Sequence, residues 1–347
     1  MQLTAKVRLN VTPKQAATLT HTLQQANECC TWLSEKAWET KRFGQFSLHK
    51  LAYHPARAAF KNLASSVIVR CEAKVSHAYA LDRKTKPTFK PLGAIEYDHN
   101  ILPWYADKRT VSIWTVDGRL HLGFSCGSRQ LELLQGKIGQ ADLALVGKHF
   151  YLCAPCTVEN PEPQDVADVL GIDLGIANLA TDSDGVTYSG QTVEATRRKF
   201  AHRRRNLQRK GSQSAQRKLK KISGRQARYQ RDTNHILSKT VVQKAQATGR
   251  GIALVDLAGI RDRATTRRRQ RAQQANWSFF DLRAKIEYKA QRAGVPVFLV
   301  DPRNTSRTCP KCGCIDKANR RSQSNFSCVS CGYADAADHN AAVNTRT

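Results

Sequence analysis

The sequence predicts a multidomain protein of the β and α/β classes, in which an antiparallel β-barrel, interrupted by a small helical subdomain, precedes a mixed α/β domain. Three patterns predict this fold class. Apolar residues alternate with polar ones in the first strand and between Lys86 and Val158, recur at helical spacing from Pro13 to about Leu81, and form continuous runs after residue 166. With 347 residues, 41% of them hydrophobic, the chain can form two or three packed domains.

The barrel is predicted to comprise residues 1–12 and 83–160. Its first strand is QLTAKVRLNV, and RTVSIWTVDGRLHLGF predicts two strands joined at Asp117-Gly118, a strong hairpin signal. GQADLALVGKHFYLCAPC repeats the pattern with Gly147-Lys148 at the turn. Residues 13–82 are predicted to form the helical subdomain, whose basic face is either solvated or in contact with a nucleic-acid duplex.

The α/β domain is predicted to comprise residues 167–305 and 334–347, after a linker at 161–166. Its strands are VLGIDLGIANLAT, VTYSG, RGIALVDL and VPVFLVD, with long helical segments between them. Because these runs are apolar throughout, we expect a central sheet that is covered on both faces.

The net charge indicates a polyanionic partner. Lys and Arg number 56 against 28 Asp and Glu, for a formal charge of +28 and a pI near 10.0. Nucleic acid is the first candidate, because neutralising phosphates releases counterions and supplies most non-specific affinity. A membrane surface is the second candidate, although we see no long apolar run and no signal peptide, so we expect a cytoplasmic protein without a membrane partner.

Two basic segments are the predicted contacts with nucleic acid. Residues 197–231 contain 15 Lys or Arg and no Asp or Glu, so a helix there cannot neutralise itself through pairs at i,i+4. A second segment, RDRATTRRRQR at 261–271, is expected to be a loop. The candidate residues are Arg197, Arg198, Lys199, Arg203, Arg204, Arg205, Arg209, Lys210, Arg267, Arg268 and Arg269.

The most specific local signal is a pair of cysteine knuckles. Cys309 and Cys312 are followed after fifteen residues by Cys328 and Cys331, a spacing that places four thiolates around one zinc ion. Four sulfur ligands leave no position for water, so residues 306–333 are predicted to form a structural zinc ribbon. Cys314 is predicted to be a bystander that could exchange with a ligand.

Two aspartates are candidate ligands of a hard cation. Asp173 lies inside an apolar strand, where a carboxylate is costly unless it is paired or bound to a cation. Asp338 precedes a helix of small residues in ADAADHNAAVN. Each could instead cap a turn, so each is weak on its own.

The motifs GIDLGIANLAT, IALVDLAGIRDR, IEYKA, DPRNTSRTCPKCG and ADHNAA, in this order, resemble the TnpB or OrfB proteins of bacterial insertion sequences, which are often called transposases and are relatives of type V CRISPR effectors. The resemblance implies an RNase H-like (RuvC) nuclease domain with an inserted zinc ribbon, and an OB-like wedge barrel around a recognition subdomain. It also implies a transposon-derived guide RNA, a double-stranded DNA target and a bacterial, nucleoid-associated location, and we expect a monomer in the ribonucleoprotein.

The family uses three acids with two magnesium ions, and these map to Asp173, position 255 and Asp338. Position 255 is Val where the family has Glu. We predict that Glu287, which borders the apolar stripe of a later helix, replaces it as a catalytic magnesium ligand. The alternative for Glu287 is an exposed pair with Arg283. Asp256 is adjacent to Val255 but would face the other side of the strand unless a bulge turned it.

Two functions therefore remain open. The first is an RNA-guided DNA endonuclease that cuts phosphodiesters with magnesium held by Asp173, Glu287 and Asp338. The second is a nuclease-inactive relative that uses its guide RNA to occupy DNA and repress transcription. A DNA-strand transposase independent of RNA is weaker, because such enzymes commonly end their acidic set with Glu and the last motif here has Asp338. Trp32, Trp104 and Trp277 are candidates for stacking on bases, although core packing is commoner.

Overall fold

The computed structural model describes residues 1–175, 177–256 and 279–346. The chain divides into two compact units, residues 1–159 and residues 160–347. Within the described residues, no helix combines the length and the apolar character that a membrane span requires. Arg267, Arg268, Arg269 and Trp277 lie outside the described residues.

An antiparallel sheet forms the body of the first unit. Its strands follow the order β2-β7-β8-β1-β5-β4-β3, with β6 paired to β8. Among the described strands no ladder joins β2 to β3, so the sheet is open at these two edges and the predicted closed barrel is not seen. The strands are β1 (Gln2–Asn10), β2 (Ile95–Tyr97), β3 (Trp104–Tyr105), β4 (Thr110–Thr115), β5 (Gly118–Ser125), β6 (Lys137–Ile138), β7 (Ala141–Val146) and β8 (His149–Thr157).

Both predicted hairpins form, but the turn of the first lies one residue earlier than the predicted Asp117-Gly118. Strands β4 and β5 pair from Thr110 to Thr115, and the last pair joins Thr115 to Gly118, so the loop is Val116-Asp117. Strands β7 and β8 meet at Val146 and His149, on either side of Gly147-Lys148. Gly118 and Gly147 have φ of +95° and +66°, which only glycine adopts readily.

Three helices form the predicted helical insert: α1 (Pro13–Thr40), α2 (Gln45–Ala59) and α3 (Ser65–Leu81). A capping box at Thr12 and Gln15 begins α1. The buried faces of these helices share one core with the sheet, and α4 (Ser128–Leu134) also contributes to it. Trp32 packs edge-on against Phe60 and Trp104 against Phe124, so both tryptophans pack against the core, and no base-stacking role follows from their positions.

A five-stranded sheet forms the centre of the second unit, in the order β11-β10-β9-β12-β13. Strand β12 runs parallel to β9 and β13, whereas β10 is antiparallel to β9 and β11. The strands are β9 (Val169–Asp173), β10 (Asn178–Asp182), β11 (Thr187–Ser189), β12 (Gly251–Val255) and β13 (Val297–Val300). The helices are α5 (Gln191–Lys210), α6 (Gln213–Ala247), α7 (Phe279–Arg292) and α8 (Ala337–Arg346).

Helices cover the two faces of this sheet, as the apolar runs predict. On one face, Ile172 and Leu254 belong to a core with residues of α6 and α7, among them Leu237 and Ile286. On the other face α8 lies directly against β9: a Cβ added to Gly171 would be 2.1 Å from the Ala342 carbonyl oxygen. Only glycine at position 171 allows α8 to approach this closely.

The predicted basic helix is two helices. Gly211, with φ of +65°, ends α5, and the Ser212 hydroxyl accepts from the Ala215 amide to begin α6. No residue of α5 is buried. Helices α5 and α6 pack against each other and are called the basic hairpin below. This basic hairpin exposes most of its cations to solvent.

Candidate functional site

Asp173 stands at the carboxyl end of β9, on the sheet face that α8 covers. Side chains alternate along a strand, so Asp173 shares its face with Gly171, two residues earlier, and not with Ile172. Asp338 lies in the first turn of α8 and is brought over the end of β9 by the close packing of that helix. The two aspartates from distant parts of the sequence therefore meet.

The pKa of Asp173 is consistent with this arrangement. Burial, together with the negative charge of Asp338, raises the pKa of Asp173 to about 7, while the positive charge of Arg320 acts in the opposite direction. The Asn178 amide at the start of β10 donates to Asp338 Oδ2 at 2.8 Å. A carboxylate pair in which one member resists ionisation is an arrangement that a cation would stabilise.

Val255 occupies the position beside Asp173. The parallel ladder pairs Ala253 with Gly171 and Leu254 with Ile172, so Val255 is the next residue and is level with Asp173. It faces the α8 side of the sheet, because Leu254 faces the other side. Val255 is 6% exposed and offers no ligand atom to the pair.

The prediction that Glu287 fills this gap is corrected by the structure. Glu287 lies on α7, which packs through Ile286 and Ala290 against the sheet face opposite to Asp173. Its carboxylate accepts from Arg283 Nε at 2.8 Å and its side chain is 41% exposed. The alternative reading, an exposed pair with Arg283, is the one that the structure shows.

Asp256 does not replace the missing acid either. It follows Val255 and faces the α7 side, where Arg283 Nη1 donates to its carboxylate at 2.6 Å. Among the described residues, the four cysteines are the only set of three or more potential ligands whose atoms all lie within 4.8 Å of one another. The described chain thus retains two acids of the expected three.

Arg320 is a site residue that the sequence did not single out. It follows a short 3-10 helix at Lys317–Asn319, and its guanidinium donates to the Gln323 carbonyl oxygen at 3.3 Å. Its positive charge acts to lower the pKa of Asp173. The only signal was the basic composition of DKANRRSQSNF between the cysteine pairs, which suggested phosphate contact without identifying one arginine. Its approach to Asp173 depends on folding of the ribbon and has no local sequence pattern.

The four predicted zinc ligands converge. Cys309 Sγ lies 3.6 Å from Cys331 Sγ, and Cys312 Sγ lies 3.6 Å from Cys328 Sγ. Sulfurs in a tetrahedron with zinc bonds of about 2.3 Å are separated by about 3.8 Å, so the cluster fits zinc. The Cys331 amide, which donates to Cys328 Sγ, lowers the pKa of Cys328 to about 6 and favours the thiolate that binds metal.

Hydrogen bonds connect the ribbon to α8. Strands β14 (Asn325–Ser327) and β15 (Ala334–Ala336) form its hairpin. Asp335 of β15 accepts from the Tyr333 hydroxyl at 2.7 Å and lies 2.7 Å from His339 Nδ1. Asn344 donates to the Thr305 and Thr308 carbonyl oxygens. The position of Asp338 therefore depends on the fold of the ribbon.

The predicted nucleic-acid contacts that lie within the described residues are all on helix α5 of the basic hairpin. Two of them, Arg197 and Arg198, are less suitable than predicted. Arg197 and Arg198 both donate to the Glu194 carboxylate, at 2.6 and 2.8 Å, so their charge is partly neutralised. The other predicted cations of α5 are exposed or partly exposed: Lys199, Arg203, Arg204, Arg205, Arg209 and Lys210. These six are the better candidates for binding phosphate.

We predict that the full chain binds one zinc ion through the four cysteines. Replacing Cys312 with Ser should reduce zinc content from one equivalent per chain to a small fraction, because structural sites need all four ligands. Zinc is measured by a colorimetric chelator after denaturation. Cys314→Ser is the matched control and should keep its zinc; equal loss in both variants would make Cys314 a ligand.

We also predict that Asp173→Asn stabilises the metal-free protein at pH 8. The folded-state pKa of about 7 lies above the ordinary aspartate value of 3.8, so ionised Asp173 opposes folding, and stability falls as pH rises from about 4 to 7. The gain is up to about 4 kcal/mol, measured by urea denaturation at pH 5 and 8.

Asp184→Asn is the control with the opposite sign. Hydrogen bonds from Arg250 and Lys244 hold the pKa of Asp184 well below its usual range, so its carboxylate stabilises the fold at neutral pH and this contribution is lost as pH falls. The variant should be less stable than the parent at pH 8. A stability loss in Asp173→Asn at pH 8 contradicts the reading of Asp173 as a strained carboxylate.

Comparison with known proteins matches the second half of the chain to two families. A model described as "Probable transposase" (OrfB_IS605) matches residues 153–264, and one described as "Cas12f1-like, TNB domain" matches residues 279–345.

Curated relatives include a protein named CRISPR-associated endodeoxyribonuclease Cas12f1 from Sulfoacidibacillus thermotolerans, 35% identical over 53% of this chain and 47% of the relative. The TnpB-like protein MJ0751 of Methanocaldococcus jannaschii is 30% identical over 49% of this chain and 64% of its own length. The putative RNA-guided DNA endonuclease InsQ of Escherichia coli is 31% identical over 51% and 48%. The chain thus spans about half the length of the first of these relatives.

Solved structures show the same fold. A Cas12f1 chain in complex with sgRNA and target DNA superposes with a TM-score of 0.64 at 13% identity, covering 100% of this chain and 99% of that one. The mini-RNA-guided endonuclease CRISPR-Cas_phi3 gives 0.53 at 10% identity, covering 99% and 92%. The resemblance drawn from the motifs is confirmed: through residues 153–264 and 279–345, this chain is related to the OrfB/TnpB proteins and to Cas12f1.

Proposed function

We propose that this chain is an RNA-guided DNA-binding protein of the TnpB type whose RuvC-like centre cuts DNA poorly or not at all. The observation that carries the proposal is Val255, which stands level with Asp173 on the α8 face where a carboxylate would complete the site. Guided binding without cutting would block transcription of the occupied DNA.

The missing charge is large enough to decide between binding and cutting. Bound magnesium ions supply stabilisation of the attacking and leaving oxygens in hydrolysis of this kind. Removing one unit charge about 4 Å from a cation costs on the order of 4 kcal/mol per unit of cation charge at an effective dielectric near 20. That cost corresponds to roughly a thousandfold in affinity. Asp173 and Asp338 would hold a cation between them, and Asn178 would orient Asp338 through its 2.8 Å hydrogen bond.

The proposed partners follow from charge and from the relatives. The formal charge of +28 and the exposed cations of the α5–α6 hairpin suit a guide RNA and a target DNA, and the solved Cas12f1 structure is a complex with sgRNA and target DNA. In our proposal a single chain binds one transposon-derived guide RNA, and Arg320 contacts the phosphate of a strand that lies beside Asp173.

Cleavage is the second candidate function, and a specific observation favours it. Asp173, Asp338 and Arg320 remain together, and the relatives carry names of endodeoxyribonucleases. A site with two of three acids could still hydrolyse DNA slowly, particularly with Mn²⁺.

The purified ribonucleoprotein distinguishes the two functions. With its copurifying RNA and a matched plasmid in Mg²⁺, we expect a gel-shifted complex and no nicked or linear DNA, whereas Val255→Glu should restore nicking. Asp173→Asn in the Val255→Glu background is the control and should shift DNA without cutting it. Efficient cutting by the parent chain in any flanking-sequence context would falsify our proposal, and absence of guided binding would remove both functions.

The basic hairpin should contribute electrostatic affinity. Reversing the charge of Arg203, Arg204 and Arg205 to Glu should weaken RNA binding and lower the slope of log affinity against log salt by about 2 or more, because each lost phosphate contact removes about 0.7–0.9. Filter binding between low and moderate salt measures the slope. Arg198→Gln is the matched control and should change it less, since Glu194 already pairs with Arg198. An unchanged slope in the triple variant would place these arginines on a free surface.

A further inference from the structure

The acids at the end of β9 are too few for a pair of metal ions, and we propose that this chain holds a single divalent cation between Asp173 and Asp338. This inference rests on the proposed function, because it concerns the same centre. It adds a separate statement about how many ions the centre binds.

The donors suit one ion. Asp173 ends β9 on the face that α8 covers, and Asp338 lies in the first turn of α8. Hard cations such as Mg²⁺ and Mn²⁺ prefer such oxygen ligands. Asn178 adds an amide side chain at the same point, since its nitrogen donates to Asp338. Its amide oxygen is a neutral donor of the kind that such cations accept, and water would complete the coordination shell.

The surroundings do not suit a second ion. In two-metal sites the ions lie about 3.5–4 Å apart and each needs carboxylate oxygens. The position level with Asp173 on the neighbouring strand is filled by the methyl groups of Val255. Asp256 and Glu287 face the α7 side of the sheet and are both engaged by Arg283.

Charge balance also favours one divalent cation over two. One divalent cation is neutralised by the two carboxylates, whereas two such ions would leave two uncompensated positive charges. A third acid and one phosphate of bound DNA would cancel those charges in a complete site. Here Arg320 adds a further positive charge close to Asp173. A second cation is therefore repelled even when DNA is present.

Counting Mn²⁺ ions tests the proposal. The probe is Mn²⁺ itself, added to the full chain after RNA has been removed and the cysteines have been loaded with zinc, which thiolates prefer. Calorimetry should give one tight equivalent, and electron paramagnetic resonance should show isolated Mn²⁺. Neither measurement depends on DNA cleavage.

Variants assign the ion to its ligands. Asp338→Asn should weaken the tight equivalent by roughly a thousandfold, the effect of one lost charge. With a DNA oligonucleotide added to supply the phosphate charge, Val255→Glu should bind a second equivalent and produce an exchange-coupled spectrum, because the ions would then lie about 3.5–4 Å apart. Val255→Gln has nearly the same shape without the charge and should keep one uncoupled ion. Circular dichroism checks that each variant is folded.

Three results overturn the inference: two coupled ions in the parent chain, no tight ion in the parent chain, or one tight ion that survives Asp338→Asn. The first two need no variant, so a variant that fails to fold does not protect the proposal. Guided DNA binding is measured separately with RNA restored. Loss of guided binding removes the proposed function and leaves the ion count intact, while a wrong ion count leaves guided binding intact.

Discussion

The parallel pairing of β9 with β12 is the constraint on which the candidate centre depends. Its register makes Ile172 and Leu254 face α6 and α7, and it makes Gly171, Asp173, Ala253 and Val255 face α8. A shift of β12 by one residue would exchange its two faces, so that Leu254 would no longer point into the core with α6 and α7. Because a large apolar core fixes this register, the missing carboxylate cannot be supplied by a neighbour along the strand.

Helix α8 transmits the fold of the zinc ribbon to the centre. The helix lies so close to β9 that only Gly171 fits beneath it, and its polar side chains bind backbone carbonyls at the start of the ribbon. Arg320 comes from the same ribbon and acts on Asp173. The fold of the cysteine cluster and the position of Asp338 are thus linked through one short helix, although the cysteines contribute no ligand to the acid pair.

Local sequence patterns predicted much of the fold. Periodicity and turn chemistry predict the two hairpins, the three helices of the insert and the covered sheet, although the first turn lies at Val116-Asp117 and not at the predicted Asp117-Gly118. The cysteine spacing likewise predicted the cluster at Cys309, Cys312, Cys328 and Cys331. These features depend on neighbours in the sequence, so one sequence suffices to predict them.

Features that depend on packing were harder to predict. Glu287 borders the apolar stripe of α7. The sequence of α7 does not determine which face of the sheet the helix covers, and in the structure α7 covers the face opposite to Asp173. The break at Gly211 and the pairing of Arg197 with Glu194 are local features that the sequence analysis missed: Gly followed by Ser is a helix stop and start signal, and Glu194 lies three residues before Arg197. Arg320 reaches Asp173 only through the folded ribbon.

Val255 has an evolutionary consequence. Every valine codon is a single nucleotide change away from a codon for Asp or Glu, and position 255 is level with Asp173 on the same face of the sheet. Under the proposed function, a point mutation at this codon would interchange occupying a target and severing it, with no rearrangement of the core.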